Sequence, residues 1–538
     1  MDGSFRYITG DGAEHKIDNY LDVQYRKGSS QDIVIPLVGK LVGDGEKVIV
    51  FRETKPIVQA TAEYLKDNLG FGAANETLAL LPETDPSVAS AQLRRCLEGG
   101  IAFHNADLDR GERQAVESTF RDPKSSLNVL VATTTVAMGV NTPAWSVVIA
   151  GLQHPGAEPY SIAEYKNMAG RAGRLGFTPK GKSFLVAGSP AEANHLWNTY
   201  VLGKPEALVS RFSDQEPLSL ICRILATANA SKTNGLSEPD LTNFIQSTFA
   251  GHQKGITLSA SEITHAIARL SQANIIEKVE DRYRLTELGK IAGELGIQVE
   301  SIVRISRALH GLPASQMTDG ALLATAQTTI ELDEIIFPVH KTSIQEKQRW
   351  RSATQQQRLP HSVMIELQST DEIGHTTRCK RFSSILLWLE GVELNRMEAS
   401  LLQHLPRSNA AGPIRACAER TRDLISSVVR IGELVSNDGF AVGTKADELM
   451  CRLELGIPAD ICWLALKLHR RLDRGDYLSL RKAGLTTIES FDKIEDTTLL
   501  GVVNSKTKLA AIRGAIEEIR AFKPKIDDKD LPMPTPVK

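Results

Sequence analysis

Between residues 47 and 188, short apolar runs alternate with longer amphipathic ones. "KVIVF" (47–51) precedes "PIVQATAEYLKDNLG", "GIAFH" (100–104) precedes "RGERQAVESTFRD", and "LNVLVAT" (127–133), "SVVIAG" and "SFLVAG" complete the series. Unbroken runs of four or five apolar residues suit strands covered on both faces, and the stretches between them carry apolar residues at helical spacing. The alternation predicts an α/β lobe over 31–192, a doubly wound parallel sheet whose ligands sit where strands end. Beyond residue 195 the strand pattern nearly disappears. "PLSLICRILATANA" (217–230), "EPDLTNFIQSTFAGH" (238–252) and "SASEITHAIARLSQANII" (259–276) predict three helices, and "EKVEDRYRLTELG" (277–289) predicts a hairpin. Together they suggest a winged-helix domain over 193–298. Residues 299–440 predict a helical bundle, with a basic segment at 341–358 and a long amphipathic run at 412–435, and 441–523 predict a terminal helical domain. Residues 1–30 are expected to be a linker, and the Pro-rich, charged segment 524–538 a disordered tail.

The net charge of −2 over 538 residues announces no general basic field, so any nucleic-acid surface must come from local clusters. The six cysteines (Cys96, Cys222, Cys379, Cys417, Cys451 and Cys462) include no C-x-x-C pair. That spacing argues against zinc and against a disulfide framework, and fits reduced, buried thiols in a cytosolic protein. No apolar run approaches 18 residues and the N-terminus has no signal-peptide pattern, so no membrane partner is expected and the expected location is cytoplasmic, at the nucleoid in a prokaryote or in the nucleus of a eukaryote.

Two nucleotide-site patterns overlap in "GRAGRLGFTPKGKS" (170–183). "GFTPKGKS" matches the P-loop expression. A P-loop, however, joins a strand to a helix N-terminus, whereas here the segment follows a helical stretch and leads into the strand "SFLVAG". Gly181-Lys182-Ser183 are therefore expected to be a turn. "GRAGR" fits its surroundings better: Ser161 and Glu164 open a helix with a capping box, and Arg171 and Arg174, three apart, are expected on one helical face. Two guanidiniums so placed could clamp a γ-phosphate, with Gly170 and Gly173 allowing close approach. "VLVATTTVAMGVNTPA" (129–144) places Thr133, Thr135, Gly139 and Asn141 in the loop after a buried strand, and His104 and Asn105 stand at another strand end.

In this order, "VIVFRETKP", "AFHNADLDRGERQAVESTFR", "VLVATTTVAMGVNTPA" and "EYKNMAGRAGR" resemble motifs IV, IVa, V and VI of superfamily-2 DNA/RNA helicases of the Ski-like branch. The branch includes archaeal-type repair helicases and the helicase half of DNA polymerase theta. The resemblance implies a second RecA-like lobe, a winged helix, a ratchet-like bundle and a terminal domain with a helix-hairpin-helix-like segment, "LRKAGLTTIESFDKI". It also implies roles for individual residues. Arg171 and Arg174 would be catalytic, stabilising the ATP γ-phosphate, with Gly139, Asn141, Asn167 and Gly170 beside the nucleotide. Arg52, Thr54, His104, Thr133, Thr135, Arg415 and Arg422 would meet single-stranded or forked DNA, or RNA. Motif VI usually begins with Gln, and Asn167 is one methylene shorter. The region that in the family holds a strand-separating hairpin offers only His154 and Tyr160 as basic or aromatic groups, which implies weaker unwinding than translocation.

Such a helicase binds ATP and Mg²⁺ between two lobes, and the first carries the Walker A and DExH residues. Only about thirty residues precede the lobe here. The expectation is that a separately encoded first RecA-like lobe completes the ATP site, with little ATPase in the chain alone. The alternatives are a truncated remnant or a catalytically inactive nucleic-acid-binding or regulatory subunit. A third possibility, an independent NTPase using Lys182 and Asp333, fits least: the acidic pairs in "IELDEII" (330–336) and "STDEIGH" (369–375) are expected to be surface or capping acids.

Overall fold

The computed structural model describes residues 3–23, 28–134, 144–154, 158–173, 181–210, 217–231, 235–253, 258–405, 409–436 and 443–521. The chain forms two compact units. One comprises 1–303, 334–348 and 394–416, and the other 304–333, 349–393 and 417–538.

The first unit opens with an antiparallel hairpin, β1 (Phe5–Ile8) and β2 (Glu14–Ile17), where a linker was expected. Phe5 stacks on Phe184 and Tyr20, which fastens the hairpin to the lobe through aromatic contact. Five parallel strands follow: β3 (Val48–Phe51), β4 (Ile101–His104), β5 (Val129–Ala132), β6 (Ser146–Ile149) and β7 (Lys182–Leu185). They lie in the order β4-β5-β3-β6-β7. β3 to β6 are buried throughout, as their unbroken apolar runs require. Helices Lys55–Leu69 and Arg110–Arg121 match the amphipathic stretches, and Asn75–Leu80 and Val88–Leu97 add two that the pattern did not single out. All six cysteines are buried and unbridged, as expected of the thiols.

In the same unit, helices Pro217–Ala230, Glu238–Gln246, Phe249–His252 and Ala260–Gln272 precede the hairpin of β8 (Ile276–Val279) and β9 (Arg282–Leu285). The hairpin is shorter than expected, because "ELGKIAGEL" leaves it to form the helix Glu287–Leu295, capped by the Thr286 hydroxyl.

The second unit is helical. Its terminal part packs helices Cys462–Leu468, Arg474–Lys482, Ile488–Lys493, Asp496–Val503 and Lys506–Ala521 around buried Tyr477, Phe491 and Ile512. The segment 524–538 lies outside the described residues. Asp333, expected at the surface, is instead the hub of an ion cluster. Its carboxylate accepts from Arg378 (3.1 and 2.5 Å), Arg381 (2.8 Å) and Arg304 (3.3 Å). The Arg378 and Arg381 side chains are 1% exposed and also donate to the carbonyls of Glu366, Leu332 and Gln327. Asp333 is thus committed to structure, which removes it from the NTPase reading. The capping expectation holds at Asp371, which caps the helix Glu372–Leu389.

Burial alone would raise the Asp333 carboxyl, but Arg378 and Arg381 outweigh it and hold it below its ordinary range. Folding therefore favours the ionised form. This stabilisation is present above the ordinary carboxylate range and is lost as pH falls through the folded value. Asp333→Asn should lower stability at neutral pH by about 3 kcal/mol, the low end for stranding buried charge because the carboxylate is partly solvated. In urea unfolding followed by helix signal, the gap between wild type and variant should narrow on acidification. An unchanged midpoint at neutral pH would contradict this.

Candidate functional site

The parallel register sorts the candidate residues onto opposite edges of the sheet. Arg52 and Thr54 follow β3, His104 ends β4 and Thr133 follows β5, so these four share the C-terminal edge. Arg171 lies at the other edge. The helix Ile162–Ala169, capped by Ser161 and Glu164 as expected, ends before Gly170, and Arg171 belongs to the turn that follows. This corrects the expectation for Arg171, which is not on the helical face. Ala144 N–H donates to the Arg171 carbonyl (3.1 Å), and Gly173 N–H donates to the Ala144 carbonyl (3.0 Å). Ala144 leads into β6, so motifs V and VI are knit together at the N-terminal edge. A four-residue strand separates the two edges by about 10–13 Å. Thr133 stands at one edge and Ala144 at the other.

Of the P-loop lookalike, residues 181–183 are described, and their contacts are structural. Lys182 and Ser183 are the first residues of β7, paired with Ser146 and Val147, whereas a P-loop lysine opens a helix. Lys182 Nζ pairs with the buried Glu46, and Ser183 shares a side-chain hydrogen bond with Tyr165. The Glu46 hydrogen bond raises the Lys182 ammonium above its ordinary value despite partial burial. Gly181 has a packing role, because a Cβ there would overlap the backbone of Ala172 and Gly173. Gly173 itself has φ +65°, a conformation that favours glycine.

At the C-terminal edge most candidates are turned inward. Arg52 Nη1 donates to Ser30 Oγ (3.1 Å) and to the Ala150 carbonyl (2.9 Å), and its side chain is 11% exposed. It buttresses β3 and β6 and is not presented to a phosphate. His104, proposed from sequence as a nucleic-acid contact, is buried with Nε2 2.8 Å from Glu117 Oε1. Burial lowers its imidazole, against the opposing pull of Glu117, so the ring is held neutral. Thr133 is also buried. Thr54 is half-buried at the start of Lys55–Leu69 and makes no capping bond. Asn167 and Gly170 are exposed, and Arg171 is half-buried. Arg174, Gly139, Asn141 and Thr135 lie outside the described residues.

The two bundle arginines are engaged as well. In the first unit, Arg415 Nη1 donates to the Asp107 carbonyl (2.8 Å). In the second, Arg422 faces three carboxylates, Asp423 (2.7 Å), Glu454 (3.8 Å) and Glu419 (4.0 Å), which offset burial and raise its guanidinium. A cation so neutralised is a poor anchor for a phosphate. Sequence reasoning passed over Arg420, which is exposed on the same helix. It also missed Lys55, whose Nζ pairs with the buried Asp107 (2.9 Å). Charge alone marked neither, because Arg420 sits among several arginines and Asp107 among several acids. Between motifs V and VI, His154 N–H donates to the Glu158 carbonyl (2.7 Å) and Gln153 bridges Pro159, a small hairpin. Its Tyr160 is buried with the His154 ring edge-on at 4.4 Å.

Among the described residues, no group of three His, Cys, Asp or Glu side chains is placed to hold a metal. The packing at Gly181 makes a test. Gly181→Ala should destabilise the lobe by about 1–3 kcal/mol through overpacking against the arginine turn. Gly43→Ala, in open space at a helix end, should be neutral or slightly stabilising. Equal melting temperatures for the two variants would contradict this reading of Gly181.

Comparison with known proteins matches two family descriptions: "Helicase conserved C-terminal domain" over residues 75–176, and "Methanogenesis regulatory protein FilR1, N-terminal domain" over 249–305. The ATP-dependent DNA helicase Hel308 of Pyrobaculum calidifontis is 25% identical over 518 residues, 93% of this chain and 68% of that protein. Hel308 of Caldivirga maquilingensis is 24% identical over 541 residues, 95% and 69% of the respective chains. Hel308 of Methanocella arvoryzae is 30% identical over 298 residues, 52% of this chain and 38% of that one. Among solved structures, the DUF1998 helicase MrfA bound to DNA superposes with a TM-score of 0.31 at 15% identity, covering 48% of this chain and 28% of that one. The helicase C-terminal domain coincides with the lobe carrying motifs IVa to VI, and the Hel308 likeness runs through nearly all the rest. The chain is the C-terminal part of a superfamily-2 helicase, similar to the archaeal Hel308 type.

Proposed function

We propose that this chain is the C-terminal portion of an ATP-dependent DNA helicase or translocase, acting in the cytoplasm on single-stranded or forked DNA, with RNA as the other candidate strand. The observation that carries the reading is the pairing of Ala144 with Arg171 and Gly173, which ties motif V to the arginine turn. Arg171 and Arg174 would stabilise charge on the γ-phosphate, while a first RecA-like lobe supplied in trans would hold the remaining phosphates and Mg²⁺. The helices at 217–272 and the β8–β9 hairpin suit a winged helix, and the helix Ala411–Val435 suits a ratchet. Strand contacts would come from Thr54 and exposed cations such as Arg420. The inward ties of Arg52 and Arg415 suit positioning roles.

The test is turnover by the two-lobe assembly. Arg171→Ala and Arg174→Ala should each lower strand-stimulated ATP hydrolysis by about 10³-fold, as loss of an arginine finger does, with strand affinity nearly unchanged. Undiminished hydrolysis in both variants would contradict the assignment. Strand affinity should also fall steeply with salt, and a flat response would favour a protein-interaction role.

A further inference from the structure

Residues 394–416 are sewn to the lobe by side chains that cap helix ends, with one buried carboxylate at the centre. Glu398 is 1% exposed. Its Oε2 accepts from Val88 N–H (2.8 Å), the first residue of the helix Val88–Leu97. Its Oε1 accepts from Ala410 N–H (3.3 Å) and Ala411 N–H (3.1 Å), where the helix Ala411–Val435 begins. One charge therefore satisfies the free N–H groups and positive dipole ends of two helices far apart in sequence. The lobe reciprocates: Asp85 Oδ1 accepts from Leu394 N–H (2.7 Å), the first residue of Leu394–Leu401. Asn409 Nδ2 donates to Gln59 Oε1 (2.8 Å).

The next turn meets the loop after β4. A Cβ at Gly412 would overlap Asp107 Oδ1 and the Ala106 carbonyl, so helix and loop touch through backbone. The loop is itself stiffened, because Asp107 N–H donates to Asn105 Oδ1 (2.9 Å) and Lys55 holds the Asp107 carboxylate. Arg415 then closes onto the Asp107 carbonyl (2.8 Å). These groups are fixed to elements that leave the C-terminal edge of β3 and β4.

We propose that Glu398 is a positioning residue that joins the start of the helix Ala411–Val435 to the motif IVa loop, so that this end of the helix moves with the sheet as one body. The proposal rests on the reading of that helix as the one facing the nucleic-acid strand. Displacement of the lobe by nucleotide would then be delivered to the helix through hydrogen bonds at its first turn.

The experiment uses the 538-residue chain, with Glu398→Gln and Gly412→Ala made separately. Glu398→Gln removes one acceptor and the charge, and Gly412→Ala keeps every hydrogen-bonding group but forces the helix off the loop. Amide exchange should accelerate at least about tenfold at 88–90 and 410–412 in Glu398→Gln, and at 410–412 in Gly412→Ala, with β3–β5 still protected. Affinity for a fluorescein-labelled oligo(dT) should fall several-fold in both, measured below the melting temperature of each. Unchanged exchange at 410–412 in both variants would overturn the joint. Faster exchange with unchanged affinity would overturn its positioning role and leave only local stability. If the wild-type chain bound no oligonucleotide, the functional reading would fail, and the exchange rates would still decide whether the joint exists.

Discussion

The first unit depends on the parallel register that sets β3 between β5 and β6. Because Val48, Val129 and Ser146 are aligned, every residue just before a strand falls on one edge and every residue just after falls on the other. The arginine turn and Ala144 lie on the first edge, and Arg52, Thr54, His104 and Thr133 on the second. On the proposed reading, a site for nucleotide and a site for a strand would share one sheet without sharing a surface.

A second theme is how the chain uses its arginines. With a net charge of −2, it has no general surplus of cations for phosphate. Several of the most conspicuous ones are committed inside: Arg378 and Arg381 to Asp333, Arg52 to the β6 end, Arg415 to the Asp107 carbonyl and Arg422 to three acids. Internal carbonyls and carboxylates outcompete solvent for guanidinium groups because the planar fork meets several acceptors at once. Strand binding, on the proposed reading, would draw on exposed residues and backbone donors, which are hard to rank by residue type.

Much of the fold was legible in the chain. Unbroken apolar runs located β3 to β6 within a residue or two, since a strand covered on both faces tolerates little else. The Ser161–Glu164 spacing foretold the capped helix before the arginine turn, and the strand context of Lys182 disposed of the P-loop. The failures share a cause. The β1–β2 hairpin is largely exposed and held by a few aromatic contacts, so its sequence carries weak alternation. The burial of His104, the hub at Asp333 and the double cap by Glu398 each depend on a partner 13 to 310 residues away. Local pattern names the residue type at such positions but not the partner that decides its role.

The most direct test of the central claim, that this chain carries the arginine side of an ATP site and not its P-loop, is DNA-stimulated ATP hydrolysis by the purified 538-residue chain alone, with Lys182→Ala beside it. The account predicts no turnover above background in either protein. Robust turnover that Lys182→Ala abolishes would contradict it, and would return "GFTPKGKS" to the chemistry.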